Sequence, residues 1–386
     1  MNQGAPRYLH SLDVARGIAA FAVVLWHWQH FFYDGDAVSA AFVRERQPLH
    51  ALLGAFYDRG DQAVALFFTL SGFIFFWLYA GRISSEAMRL REFFVLRISR
   101  LYPLHLATLL FVACAQYAFR RVTGAAFVYP TNDAAHFILS GLFLSSIGGE
   151  SGFSFNGPSW SVSVEMVLYA IFFLYCAVSR ARVATMVLMV ALGIGLLGAY
   201  KPTIGHAVGS FFLGGIMFAA YMSIRARRAR FMLARAIPVV TLGVWILTSF
   251  APNVLAVASG ARALRLDSES FVTFALFPLT ILSLALLEME SETFFRRLAE
   301  FTRLGDLSYS VYLIHFPLQL AVMLVLIRLG VSREVLYTPA ALLSFLALLI
   351  AISIASHDRL EIPMQRLLRR RFLTNDSLSP PRSDAS

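Results

Sequence analysis

Cysteine is nearly absent from this 386-residue chain: there are two, Cys114 and Cys176, both within apolar stretches. That excludes a disulfide framework, and neither sits at a metal-ligand spacing, so both read as small packing residues. Charge is also scarce, at 15% Asp, Glu, Lys and Arg, and no internal repeat is present. The first apolar run follows a polar start and lacks a small-residue cleavage site. It is therefore expected to stay in the protein as a transmembrane helix.

What fills the chain instead is apolar: 58% hydrophobic residues, 35 of them Phe, far more than a soluble domain requires. About ten stretches have spanning length. They lie near 12–32, 62–80, 99–119, 161–179, 184–200, 203–222, 237–252, 270–287, 307–328 and 338–356, with the 184–222 region open to other divisions. The fold class is thus an all-α integral membrane protein. Residues 1–360 should form the membrane-embedded domain, and 361–386 a basic, then disordered, tail.

The net charge of +10 does not indicate nucleic acid, because the basic residues alternate between loops. Clusters occur at Arg82, Arg89, Arg91, Arg97 and Arg100, at Arg180 and Arg182, at Arg225–Arg235, and at Arg366, Arg369, Arg370 and Arg371. The positive-inside rule then puts both termini in the cytoplasm. One expected cytoplasmic loop, 288–306, runs against the pattern with Glu288, Glu290, Glu292 and Glu300. Acidic residues weigh little in the rule, so the topology stands. The Arg225–Arg235 run fits orientation and lipid-headgroup contact, with substrate binding as the other reading.

Against this apolar background a few polar groups stand out. Arg16 and His27 are eleven residues apart in the first stretch. At 3.6 residues per turn they share one stripe, about 16 Å apart along the axis. Ionisable residues inside a membrane usually face a cavity and act there, although a snorkelling Arg and a hydrogen-bonded His are the plainer alternative. Phe67-Phe68-Thr69-Leu70-Ser71-Gly72-Phe73 places a small pair where a helix or a substrate can come close. Ser71 has no nucleophile elbow.

Arg97 and Arg100 lie three apart at the start of the third stretch, just before Pro103, suited either to anchoring or to an anionic ligand such as nucleotide phosphates. Asn156-Gly157-Pro158-Ser159-Trp160-Ser161-Val162-Ser163-Val164-Glu165 turns into the fourth stretch, with Glu165 either near the helix start as a capping charge or facing the site. The apolar segment 136–147 is too short to span and should be re-entrant or interfacial. Ser308, Tyr312 and His315 line one face of the ninth stretch, either around a cavity or as inter-helix glue. His105, His136, His206 and His357 lack such company and read as structural.

These motifs in this order resemble the acyltransferase-3 family of integral membrane acyltransferases, from about residue 10 to 356. The resemblance rests on Leu-Asp-x-x-Arg-Gly-x-Ala with the later His, Phe-Phe-x-x-Ser-Gly-Phe, Arg-x-x-Arg-x-x-Pro, Trp-Ser-x-x-x-Glu and Ser-Tyr-x-x-Tyr-Leu-x-His. It implies transfer of an acyl group, usually acetyl from acetyl-coenzyme A, to a hydroxyl of an envelope or secreted glycan, in a bacterial inner membrane. His27, Arg16 and Glu165 become the expected catalytic residues, and Arg97, Arg100 and Arg16 the expected donor site. Trp160, Ser71, Ser308, Tyr309, Tyr312 and His315 become the expected acceptor-side residues. Partners would be acyl-coenzyme A, a carbohydrate and the bilayer, with no metal and no nucleic acid. The family often has a second acidic residue after the Glu, where this chain has Met166. A fused extracytoplasmic hydrolase-like domain, present in some members, is not expected here.

In that reading Arg97 and Arg100 hold coenzyme A phosphates, Arg16 stands near the pantetheine entry, and His27 acts as general base or forms an acyl-histidine. The 16 Å from Arg16 to His27 is of the order of an extended pantetheine arm. A transporter or flippase of a glycan intermediate is the alternative from another class. It would explain the spans, but the chain shows no matching halves.

Overall fold

The computed structural model describes residues 8–197, 202–226, 231–250 and 268–373. The helices run in chain order as α1 (His10–Trp26), α2 (His50–Arg59), α3 (Ala63–Phe75), α4 (Gly81–Ser84), α5 (Leu90–Thr123), α6 (Ala134–Gly141), α7 (Trp160–Ser179) and α8 (Val183–Leu197). They continue as α9 (Pro202–Arg225), α10 (Phe231–Phe250), α11 (Ser268–Phe271), α12 (Phe277–Glu290), α13 (Glu292–Arg296), α14 (Thr302–Leu329), α15 (Pro339–Ser356) and α16 (Ile362–Phe372). Among the described residues the β-structure is one two-stranded hairpin, Tyr33–Asp34 with Ala37–Val38.

Over its described residues, each of the ten predicted stretches falls on helical structure. Among the described residues seven helical stretches are long and apolar enough to cross a membrane: His50–Ser84, Leu90–Thr123, Gly157–Ser179, Thr203–Arg225, Glu269–Glu290, Thr302–Leu329 and Pro339–Phe372. Val183–Leu197 and Met232–Thr248 are apolar but shorter. The protein is an all-α membrane protein.

Three expectations about helix ends change. α5 begins at Leu90 rather than near 99, so Arg97, Arg100 and Pro103 lie inside the helix and not at its start. The polar first turns, Leu90-Arg91-Glu92, are helical without being apolar, which a hydropathy pattern does not register. The basic stretch after 361 is helical as far as Phe372: a π-turn at His357–Glu361 carries α15 into α16, whose last-turn Arg369, Arg370 and Arg371 suit the negative end of its dipole. The remainder, 374–386, lies outside the described residues, as do Arg227, Arg228 and Arg230 of the other basic run. Finally, α1 stops at Trp26, and His27–Phe32 winds as a tighter 3-10 helix.

The chain divides into two compact units, Met1–Ala22, Arg59–Ser85 and Val167–Ser308 in the first, and Val23–Asp58, Glu86–Met166 and Tyr309–Ser386 in the second. Close helix contact and aromatic packing build the first. A Cβ on Gly72 of α3 would lie 1.8 Å from the Phe211 carbonyl oxygen, and one on Gly214 of α9 would lie 2.0 Å from that of Thr69. Only glycine lets these two backbones touch, so Gly72 serves helix packing here. Phe75 stacks on Tyr169 at 4.7 Å and Phe76 meets Phe172 edge-on at 5.1 Å, which accounts for part of the Phe content.

The first unit also resolves the acidic loop. The Glu288 carboxylate accepts the His10 and Ser11 amides at 2.8 and 2.9 Å and the Ser11 hydroxyl at 2.6 Å, closing the N-terminus of α1. Glu290 pairs with Arg235 at 3.2 Å. Two of the four anomalous carboxylates are thus committed inside the fold.

In the second unit, the 3-10 segment after α1 is anchored on the region before α15. The Trp28 indole donates to the Leu336 carbonyl at 3.1 Å, and the Trp28 and Phe31 rings pack on Phe345. Arg333 holds the hairpin through Asp34 at 2.9 Å and the Tyr33 carbonyl at 3.0 Å. α16 is tied to α5 by Arg369 donating to the Ser99 hydroxyl at 3.2 Å.

Candidate active site

The expected site residues separate by unit. Arg16, Ser71 and Ser308 belong to the first; His27, Arg97, Arg100, Trp160, Glu165, Tyr309, Tyr312 and His315 belong to the second.

Within the first unit, Arg16 is anchored. Its Nε donates to the Gly305 carbonyl at 3.0 Å and to the Ser308 hydroxyl at 3.1 Å, its Nη2 donates to the same carbonyl at 2.5 Å, and Nη2 pairs with Asp13 at 3.1 Å. The guanidinium can reach so far because α1 and α14 nearly touch: a Cβ on Gly17 would come within 2.7 Å of Leu304, and one on Gly305 within 2.6 Å of Asp13. Only 17% of the Arg16 side chain is exposed. Ser308, in turn, donates to the Gly305 carbonyl at 2.7 Å.

The second unit holds three imidazoles in mutual contact. In a 3-10 helix residues three apart eclipse each other, so His27 and His30 lie ring to ring at 4.6 Å, and His315 of α14 packs against His27 at 4.8 Å. Their tautomers follow from their partners. His27 Nδ1 donates to the Val23 carbonyl at 2.9 Å, and His315 Nδ1 to the Tyr312 carbonyl at 2.5 Å, because a carbonyl can only accept. Gln319 donates through Nε2 to the His27 carbonyl at 2.8 Å, which turns its Oε1 to accept His30 Nδ1 at 3.3 Å. Every Nδ1 therefore carries its proton, and each Nε2 presents a lone pair. All three rings are buried, and His315 Nε2 has no hydrogen-bond partner among the described residues.

Around this cluster the segment 156–161 is stitched to α14. The Tyr312 hydroxyl donates to the Pro158 carbonyl at 2.6 Å, so Ser161 is the donor in their 2.8 Å contact, and Asn156 Nδ2 donates to the Leu313 carbonyl at 3.0 Å. Tyr129, beside His30 and Phe316, is kept protonated by burial. Glu165 sits in the second turn of α7, past any capping position, within electrostatic reach of Tyr309 and Tyr312. Tyr309 itself donates to the Leu101 carbonyl of α5 at 2.5 Å.

Arg97 is buried on α5, and Arg100 is within electrostatic reach of Glu361, whose carboxylate accepts the Ser310 hydroxyl at 2.6 Å. The histidines expected to be structural have such contacts. His105 donates to the Ser140 carbonyl at 2.8 Å, His136 pairs with Asp133 at 2.8 Å, His206 stacks on Phe274 at 5.5 Å, and His357 stands 3.8 Å from Glu361. Among the described residues no group of three or more His, Cys, Asp or Glu is arranged to hold a metal ion.

Sequence reasoning missed His30, Gln319 and Glu361. The signal for the first was His27-x-x-His30, and for the second a Gln one turn after His315.

Such a fold, with three imidazoles buried together beside membrane-length helices, defines an integral membrane protein. The family model described as the acyltransferase domain (acyltransferase-3) matches residues 9–357, and the chain belongs to that family: it is an acyltransferase. It is similar to acyltransferase MdmB of Streptomyces mycarofaciens, with 27% identity covering 94% of this chain and 93% of that protein. It also resembles Protein 2 in picA locus of Rhizobium radiobacter, at 26% identity over 52% of this chain and 98% of that protein. No solved structure matches.

Proposed function

We propose that this acyltransferase moves an acyl group, acetyl first among candidates, from acyl-coenzyme A to a sugar hydroxyl of an envelope or secreted glycan, with His27 as general base. The observation that carries this reading is the His27 ring itself: Nδ1 is held by the Val23 carbonyl, so Nε2 is the basic atom. Nε2 takes the proton of the acceptor hydroxyl as that oxygen attacks the thioester carbonyl. The acyl carbon–sulfur bond then breaks, and the proton on His27 passes to the departing sulfur. His315 and His30, packed against the His27 ring, would add two further basic nitrogens beside it.

The donor's phosphates would meet guanidinium groups of α5 and α16, namely Arg97, Arg100 and Arg369. That donor set suits an anionic head. Arg16, with its polar atoms engaged by Gly305, Ser308 and Asp13, is assigned to positioning α1. The reading places the protein in a bacterial inner membrane with both termini cytoplasmic.

The test uses cells lacking the protein, complemented with wild type or His27→Ala at matched membrane levels. Ester-linked acetate on glycans should return only with wild type. Equal acetate from the folded His27→Ala variant removes the base assignment. Absence of coenzyme A release by the purified wild-type protein removes the donor assignment.

A further inference from the structure

α16 continues the last membrane-length stretch, and the composition changes at the join. α15 has 18 residues. That is about 27 Å of helix, close to the roughly 30 Å hydrocarbon core of a bilayer. The π-turn and α16 therefore fall at the polar boundary of that core. α16 reads Ile-Pro-Met-Gln-Arg-Leu-Leu-Arg-Arg-Arg-Phe, with four arginines and no Asp or Glu.

These arginines divide between two faces. Arg369 is turned to α5: its Nε donates to the Ser99 hydroxyl at 3.2 Å and its Nη2 to the Gln365 amide oxygen at 3.1 Å. At about 100° per residue, Arg366, Arg370, Leu367 and Arg371 fall instead within one arc of about 140° on another side. All four are exposed, Leu367 to 57%. Among the described residues no hydrogen bond or ion pair engages the side chains of Arg366, Arg370 and Arg371. α5 adds exposed Arg89 and Arg91 at its own polar start, ahead of Ser99.

Guanidinium groups without a carboxylate, set around one apolar side chain at the end of a spanning helix, suit lipid phosphate. The leucine enters the acyl-chain boundary while the arginines reach headgroup oxygens with planar forks of donors. Coenzyme A carries phosphates as well, but the two faces separate the sources. The guanidinium groups assigned to the donor, Arg97, Arg100 and Arg369, belong to α5 or to the side of α16 that meets it. A bilayer presents many phosphates side by side, which is what three arginines spread along an exposed arc can engage.

We infer that the outer face of α16 is a docking surface for anionic phospholipid. Arg366, Arg370 and Arg371 hold the headgroups, and Leu367 inserts beside them.

The test places the purified full chain in nanodiscs of equimolar phosphatidylcholine and phosphatidylglycerol, with photoreactive benzoylphenylalanine in place of Leu367. Mass spectrometry identifies the lipid adducts. The same probe in place of Leu174, exposed on α7, gives the baseline ratio of the two lipids. At position 367 the ratio of phosphatidylglycerol to phosphatidylcholine should exceed that baseline at least threefold, and added salt should weaken the preference. Arg366→Gln, Arg370→Gln and Arg371→Gln together should return it to baseline, whereas Arg366→Lys, Arg370→Lys and Arg371→Lys together should keep most of it. A baseline ratio with all three arginines present, or no lipid adduct at 367, overturns the proposal. So does a preference that the Gln replacements leave unchanged. Loss of the preference in saturating acetyl-coenzyme A assigns the face to the donor and overturns it too. Should the Gln protein not fold, the ratio with all three arginines present and its salt dependence still decide.

Discussion

Arg16 and His27 both stand in the first apolar stretch, yet their surroundings differ in kind. The Arg16 guanidinium meets a carbonyl, a hydroxyl and a carboxylate of its own unit. The His27 ring has Nδ1 held by a carbonyl and packs against two further imidazoles. A buried polar group whose bonds are made contributes to the fold. One with a lone pair left over costs stability and is kept where chemistry needs it. The contrast teaches that residues of equal rarity in a membrane span need not do the same job.

The largest effect that would break this contrast comes from replacing each of the pair by Ala. His27→Ala should lower turnover per folded molecule by roughly 10²- to 10⁴-fold with little change in thermal midpoint. Arg16→Ala should instead lower stability by about 1.5–3 kcal/mol, because charged hydrogen bonds in a part-buried site are lost. Arg16→Lys should repair little of it, lacking the forked donors. Thermal unfolding in detergent beside coenzyme A release reads both. A fully stable but inactive Arg16→Lys protein would put Arg16 in the chemistry and dissolve the distinction.

A smaller effect sharpens the His27 side. Gln319 orients His30 and grips the His27 carbonyl without offering a proton of its own to the reaction. Gln319→Leu should reduce kcat about tenfold, the equivalent of one net hydrogen bond of about 1.4 kcal/mol, and leave KM for the donor unchanged. Gln319→Glu should shift the pH–rate profile, since a carboxylate beside His30 favours its protonated form. An unchanged profile would count against the coupled-ring description.

The smallest effect lies at the surface. Asp133 caps α6 by accepting the His136 amide at 3.0 Å, and this bond, with the His136 ring, holds its carboxyl below the usual carboxylate range. A depressed folded-state value means the contribution is present above the ordinary carboxylate range and fades as pH falls through the lowered value. Hydrogen exchange of the α6 amides should therefore speed up on acidification. Asp133→Asn, still an N-cap, should flatten that response. Equal acid sensitivity in both would assign it elsewhere.

The helices were legible because lipid-length apolar runs announce themselves, and over their described residues the ten stretches map onto helical structure. Helix ends were less so. The first turns of α5 and all of α16 are rich in Arg, and hydropathy follows the membrane interior rather than the backbone hydrogen bonds. At the candidate site, Arg16, His27, Tyr312 and His315 stood out as polar residues in apolar company. Their partners did not, because Val23, Gly305 and Pro158 act through backbone carbonyls that any residue type would supply. His30 was hidden by the switch from an α to a 3-10 turn at His27, which changes the neighbour rule from 3.6 to 3.0 residues.

Glu288 gives the fold an order in time. The Ser11 amide it receives lies 277 residues earlier in the chain. At a synthesis rate of about 5–20 residues per second, roughly 14–55 s separate the emergence of the two residues. The leading amides of the helix made first are therefore closed by this carboxylate only when α12 arrives. Assembly of this unit cannot finish from the N-terminus forward; it ends by returning to its beginning.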